Sequence, residues 1–350
     1  MLTYNFPAVK GIQANSEYYI CMIPLSLVDR IFLIDYEEVA PEFRAQRRLN
    51  ETRIPEIKNY ILCNRDSYVF SALAASIDGA MRFNSYSEGS PIGMLEVDMK
   101  SSFLINDGQH RKAAIHAALE EDESLADETI AVVIFRDKGL QRSQQMFTDL
   151  NKHAVTTSKS LNTLYEYKEP IAILTKNVID NIQFLHKYTD KEKDNLGKFS
   201  SNIFTLNTFY EANKRILSSS LNISDEYNFV LEFWSNVTCN MKEWCEMDEG
   251  MLSKKDLREN YIVTQGVTLL ALGRLGQFFF ENKEINMCNA LTGLSKIDWL
   301  RNNKQHWLGR AIKPNGKINR NEQGIFLTYL QIKRLLKLPI TAEEKNRENT

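Results

Sequence analysis

One stretch of the chain gathers residues able to handle an anion: Phe103-Leu-Ile-Asn-Asp107-Gly108-Gln109-His110-Arg111-Lys-Ala-Ala114. An apolar, strand-like run meets Asp107-Gly108 and passes directly into a helical pattern, so the first helical turn holds Gln109, His110 and Arg111. Positive side chains at a helix N-terminus sit at the wrong end of the macrodipole, a mismatch of roughly 0.3–1 kcal/mol each. A bound anion reverses the sign, because unpaired N–H groups and cations then converge on it. Gly108 permits close backbone approach and Asp107 is a natural N-cap. The spacing predicts a phosphate site over Asp107, Gly108, Gln109, His110 and Arg111. The bland alternative pairs Arg111 with the acidic run at 120–123 and packs His110 under a strand. Further on, Asn151, Lys152 and His153 precede Thr156-Thr157-Ser158. These groups would complete a phosphate pocket, or Ser158 would simply cap the next helix.

Two basic clusters could hold a polyanion. Lys296, Arg301, Lys304, Arg310, Lys313, Lys317 and Arg320 are set against a single acid, Asp298, and a Pro314-Asn315-Gly316 turn lies among them. Such a loop can follow a phosphate backbone. The interleaved Trp299 and Trp307 are better suited to anchoring it to a core. Arg44, Arg47 and Arg48, with Arg53, form the second cluster, where a Glu51–Arg47 pair is the simpler explanation. Other chemistries find less support. The five cysteines include no CxxC, and the five histidines no HxH or HExxH, so no metal site is expected. Asp107 and Asp98 do not make the carboxylate cluster of a metal-dependent nuclease. Cys21 lies in a strand pattern, where a thiol is more often buried than reactive.

The elements that must position these residues follow from hydrophobic period. Strands are expected at 18–25 (YYICMIPL), 30–35 (RIFLID), 68–77 (YVFSALAASI), 94–98, 102–105 and 129–135 (TIAVVIF). Helices are expected at 44–63, interrupted by Pro55, and at 109–119, 141–151 and 160–167. After about 165 the pattern turns helical, with 204–217, 227–244 and 261–280 reading as helices of a bundle. The expectation is an α+β chain: a mixed sheet with helices over 1–165, then a mostly helical domain over 166–350 with its basic stretch at 296–320. Hydrophobic residues make up 43% of the 350 and charged residues 25%, which excludes wholesale disorder. Lys+Arg 43 against Asp+Glu 45 leaves a net charge of -2, so any nucleic-acid contact must come from a local patch. The longest apolar run, 262–280, contains Gln265, Arg274 and Gln277 and reads as a core helix rather than a membrane span. With no signal sequence in view and an odd cysteine count, a reduced, cytoplasmic protein away from membranes is expected.

Asp107-Gly108-Gln109-His110-Arg111 matches the signature of the DGQHR-domain family, and within it the chain resembles the DndB family. The segments 4–12 (YNFPAVKGI), 44–61 (RAQRRLNETRIPEIKNYI), 69–79 (VFSALAASIDG) and 146–158 (MFTDLNKHAVTTS) share the resemblance. So does 297–319, with Asp298-Trp299 and Trp307-x-Gly309-Arg310, so it extends over most of the chain. It implies a DNA-binding transcriptional regulator associated with DNA phosphorothioate modification, with operator duplex as partner, contact with the sulfur-modification enzymes as a further implication, and a homodimer by analogy with two-fold operators. More distantly, the DGQHR segment is similar to the strand–DGxHR–helix element of ParB and sulfiredoxin. That likeness implies a ParB/sulfiredoxin-like N-terminal domain. It also implies an alternative function, an NTPase that binds ATP or CTP with magnesium and whose nucleotide state gates DNA binding.

Overall fold

The computed structural model describes residues 2–32, 50–136, 145–146, 149–150, 157–197, 199–219, 222 and 226–348. The chain divides into two compact units, Met1–Val155 and Thr156–Thr350. The pattern change read near 165 falls inside the second unit, at the end of its helix Lys159–Tyr165.

The first unit is built on a seven-stranded mixed sheet of β1 (Thr3–Gln13), β2 (Ser16–Pro24), β3 (Leu73–Asp78), β4 (Met81–Ser85), β5 (Ile92–Asp98), β6 (Ser102–Asp107) and β7 (Thr129–Arg136), in the order β4-β5-β1-β2-β7-β3-β6. Only the β3–β7 pairing is parallel. In β7 the buried residues are Ile130, Val132 and Ile134, the alternation a sheet with one packed face requires. Ala14 and Asn15 both have positive φ between β1 and β2, as the tight hairpin turn that matches strand twist demands.

Three helices position the motif: α1 (Leu25–Ile31), α2 (Ile54–Cys63) and α3 (Gln109–Leu119). The strand expected at 30–35 is not formed in its described part. Leu25, Val28 and Ile31 are buried at helical spacing, and this periodicity overrides the β-propensity of the run. Pro55 sits in the first turn of α2, where its missing N–H costs nothing, so it begins a helix rather than interrupting one. On α3, Ala113, Ala114 and Ala118 are buried, and their small side chains allow close packing. Lys112 is also buried, with its Nζ 3.0 Å from Asp29 of α1, which fixes the rotation of α3 about its axis.

The second unit is mostly helical: α4 (Lys159–Tyr165), α5 (Pro170–Asn181), α6 (Gln183–Tyr188), α7 (Leu206–Ile216), α8 (Tyr227–Asn240), α9 (Lys242–Asp248), α10 (Lys254–Asn260), α11 (Gly266–Glu281), α12 (Met287–Leu291), α13 (Lys304–Trp307), α14 (Glu322–Leu335) and α15 (Ala342–Glu348). Most of the apolar run at 262–280 lies in helix α11, which begins at Gly266 and is buried along most of its length. Among the described residues no helix is long and apolar enough to cross a membrane. A β-carbon on Gly273 would lie 2.6 Å from the Ala212 carbonyl of α7, so glycine sets that close helix approach. The chain after α12 is tied to α10: Arg301 N–H donates to Asn260 O at 2.7 Å, and Ile262 N–H to Trp299 O at 3.1 Å. Trp299 and Trp307 are fully buried and stacked 5.2 Å apart, and their indole N–H groups donate to the carbonyls of Leu294 and Asp298. As read from the sequence, they anchor the basic stretch.

Candidate nucleic-acid interface

The DGQHR segment sits where the edge strand β6 gives way to α3. The β3–β6 register shifts between Ala74 and Ala75, opposite Asp107 and Ile105, a bulge beside the motif that re-aims the strand end. Asn106 is buried there and accepts the Ser76 hydroxyl at 2.6 Å. Gly108 has φ +103, and a β-carbon on it would lie 2.3 Å from Leu73 Cδ2. Both observations require glycine.

Three details differ from the expectation. The N-cap of α3 is Gly108, not Asp107, and no side chain caps the helix. The cause is Arg111, which takes up Asp107: Nη2 donates to the carboxylate at 2.7 Å. Arg111 Nη1 also donates to Ser71 O, Ser71 Oγ and Ala72 O at 2.6, 2.6 and 2.9 Å. Its guanidinium therefore clamps the 71–72 segment to the strand–helix junction while Arg111 still lines the cleft in front of the motif, and it does not reach the acidic run, whose Glu121 and Asp122 pair with Lys58 and Arg65. Gln109 does not line the cleft in front of the motif, and its buried Nε2 has no partner among the described residues. His110 does line it, with Nε2 accepting the Asn50 N–H at 3.0 Å.

That cleft, about 530 Å³, is formed by the N-terminal end of α3, the 69–71 segment and one face of α2 with the turn before it. Arg53 lines it and is exposed, and among the described residues its side chain meets no carboxylate in an ion pair. The sequence had placed Arg53 in a separate cluster, but the fold brings it opposite Gly108 and His110. Arg44, Arg47, Arg48, Asn151, Lys152 and His153 lie outside the described residues. Cys21 faces the core of the sheet, fully buried, and burial pushes its thiol up to about 12.

The late basic stretch is divided by the fold. Lys313 and Lys317 flank a turn closed by Gly316 N–H to Lys313 O and by Lys313 N–H to Lys317 O, both 2.8 Å. Arg301, Lys304 and Lys313 line one cavity of about 540 Å³, with Asp256 and Glu259 of α10 on its other side. Lys296, Lys304, Lys313, Lys317 and Arg320 are exposed, and among the described residues neither they nor Arg301 form an ion pair with a carboxylate. Arg310 is held differently: Nη1 donates to the carbonyls of Gln305 and His306, and burial, with Arg334 nearby, lowers its affinity for the proton. Arg320 lines a second cavity with Lys255 and Arg258 of α10. These last two were missed, since nothing in the sequence shows that α10 lies beside residues 300–320.

The sequence model of one family, DndB, described as DNA-sulfur modification-associated, matches residues 6–339. The chain belongs to the DndB family. A DndB protein is thus associated with DNA sulfur modification, and its two candidate anion surfaces lie within the matched span. No curated protein and no solved structure matches the chain.

Proposed function

We propose that this DndB protein is a DNA-binding transcriptional regulator of DNA phosphorothioate modification. The observation that carries the reading is the turn at 313–316. Lys304, Lys313 and Lys317 stand exposed around it without carboxylate partners among the described residues, on a loop fixed to the core by two buried tryptophans. Charges left unpaired on a rigid support are suited to replacing the counterions of a phosphate backbone, and each contact of this kind strengthens the salt dependence of binding. The DGQHR cleft supplies a second phosphate contact through the uncapped end of α3, with Arg53 and His110 beside it. Arg111 and Asp107 are positioning residues there. Arg44, Arg47 and Arg48, and Asn151, Lys152 and His153, enter the reading from the sequence alone.

The cleft favours contact with a phosphate backbone over nucleotide hydrolysis. The acids at the cleft are Asp107, already engaged by Arg111, and Glu56. Fluorescence anisotropy of the full chain with duplex from its own upstream region and with scrambled duplex, each with and without ATP or CTP, tests the choice. Preference for the native duplex, unaffected by nucleotide, is expected. No binding to either duplex, together with a nucleotide response, overturns the regulator.

A further inference from the structure

The cavity shared by Arg320 and α10 has features that DNA contact does not explain. It measures about 480 Å³ and opens on the N-terminus of α11, a helix of 16 residues. The N-cap residue, Gln265, caps nothing with its side chain; its amide instead donates to Arg258 O at 3.2 Å. Thr268 and Leu269 N–H groups bond to Gln265 O, whereas among the described residues those of Gly266 and Val267 have no acceptor. The space over Gly266 is open, with no atom within 4 Å of where a β-carbon would stand.

Independent observations on the walls point to an anion. Thr264 lines the cavity and is only 9% exposed, and among the described residues its hydroxyl has no hydrogen-bond partner. A polar group buried in that state costs free energy unless something supplies its partner. Arg258 donates to four carbonyls, those of Lys254, Gly197, Ser200 and Asn202, and among the described residues to no carboxylate, so its charge is held at the wall without being neutralised there. Lys255 and Arg320 are exposed cations on the rim. Two acids also line the cavity. Asp194 is occupied by the N–H groups of Lys159 and Ser160 and the Ser160 hydroxyl, and Glu259 is exposed. Three cations and a helix N-terminus thus outweigh two carboxylates.

We propose that this cavity binds a small phosphate-bearing ligand, its phosphate seated on the Gly266 and Val267 N–H groups between Lys255 and Arg320. The volume falls in the range of small-molecule sites, about 300–1,000 Å³. The phosphate must also enter a concavity to reach the helix end, which suits a free phosphate ester better than the outer surface of a duplex. The site is separate from the DGQHR cleft and does not depend on the role proposed for it.

Isothermal titration of the full chain with inorganic phosphate and with pyrophosphate tests the proposal. Saturable binding of pyrophosphate is expected, weakened at least about tenfold in Lys255→Ala/Arg320→Ala, as loss of two charge-assisted contacts implies. Both side chains are exposed, so this variant should keep the fold, which circular dichroism checks. Thr264→Val should weaken binding as well. No saturable binding of either anion, or full affinity retained in both variants, overturns the proposal. So does a double variant that loses affinity for duplex DNA while neither anion binds the native chain, since these residues would then belong to the DNA face.

Discussion

Replacing Arg111 with alanine is predicted to release the 68–72 segment from the strand–helix junction, and stability rather than charge should register it first. The guanidinium makes contacts with Ser71 O and Oγ, Ala72 O and Asp107. Removing a partner from hydrogen bonds to a charged group costs about 1.5–3 kcal/mol where water cannot replace it. Water can reach Ser71, and the Asp107 side chain is 44% exposed, so those contacts count at a discount. The Ala72 carbonyl and the less exposed side of the ion pair remain, for a total of about 2–3 kcal/mol. In a unit the size of Met1–Val155, each kcal/mol moves the thermal midpoint by about 2–4 °C, so a fall of about 4–12 °C is expected. Differential scanning calorimetry would measure it, and hydrogen exchange at 68–72 would assign it to the first unit, since a chain of two units need not unfold in one step. Arg111→Lys, which keeps the charge but loses the planar fork, should recover less than half of the loss. An Arg111→Ala midpoint within about 1 °C of wild type would refute the clamp, especially if anion binding were lost at the same time.

Gly108→Ala should destabilise at least as much as Arg111→Ala. A φ of +103 strains any L side chain by about 1–2 kcal/mol, and the overlap with Leu73 adds about 1–3; an unchanged melting curve would show that the motif relaxes freely. Burial pushes the Glu243 carboxyl up to about 7. Its folded value lies above the ordinary 4.5, so the stability it contributes is complete below 4.5 and is lost as pH rises through about 7. Glu243→Gln should flatten this dependence and stabilise the protein at pH 8 by on the order of 3 kcal/mol, read from urea midpoints at pH 5 and pH 8; parallel changes in both proteins would contradict it. Cys21 should resist iodoacetamide in the folded protein while the exposed Cys63, Cys239 and Cys288 react. Mass spectrometry showing Cys21 modified as fast as these would contradict its burial in the sheet core.

Local pattern was enough to find α3, β7 and the long helix α11, because each carries its period within a few turns or residues. It failed where signals conflict. β1 contains Pro7 and Gly11 yet pairs on both sides, and its pairing with β2 begins only after the proline, at Ala8. Arg30 and Ile31, which open the RIFLID run of strand composition, form the last residues of helix α1. At the site, the need for glycine at 108 could be read from the strand–Gly–helix junction. The engagement of Arg111 by Ser71 and Ala72, the convergence of Arg53 on Gly108, and the position of α10 beside residues 300–320 are long-range packing, which one sequence does not display.

Regulation by DNA contact is tested most directly by the salt dependence of duplex binding in wild type and in Lys304→Ala/Lys313→Ala/Lys317→Ala. Each phosphate contact contributes about 0.9 to the slope of log affinity against log salt, so the variant should bind more weakly with a slope shallower by about 3. Equal affinity and an equal slope in the two proteins would contradict the assignment of this turn to DNA.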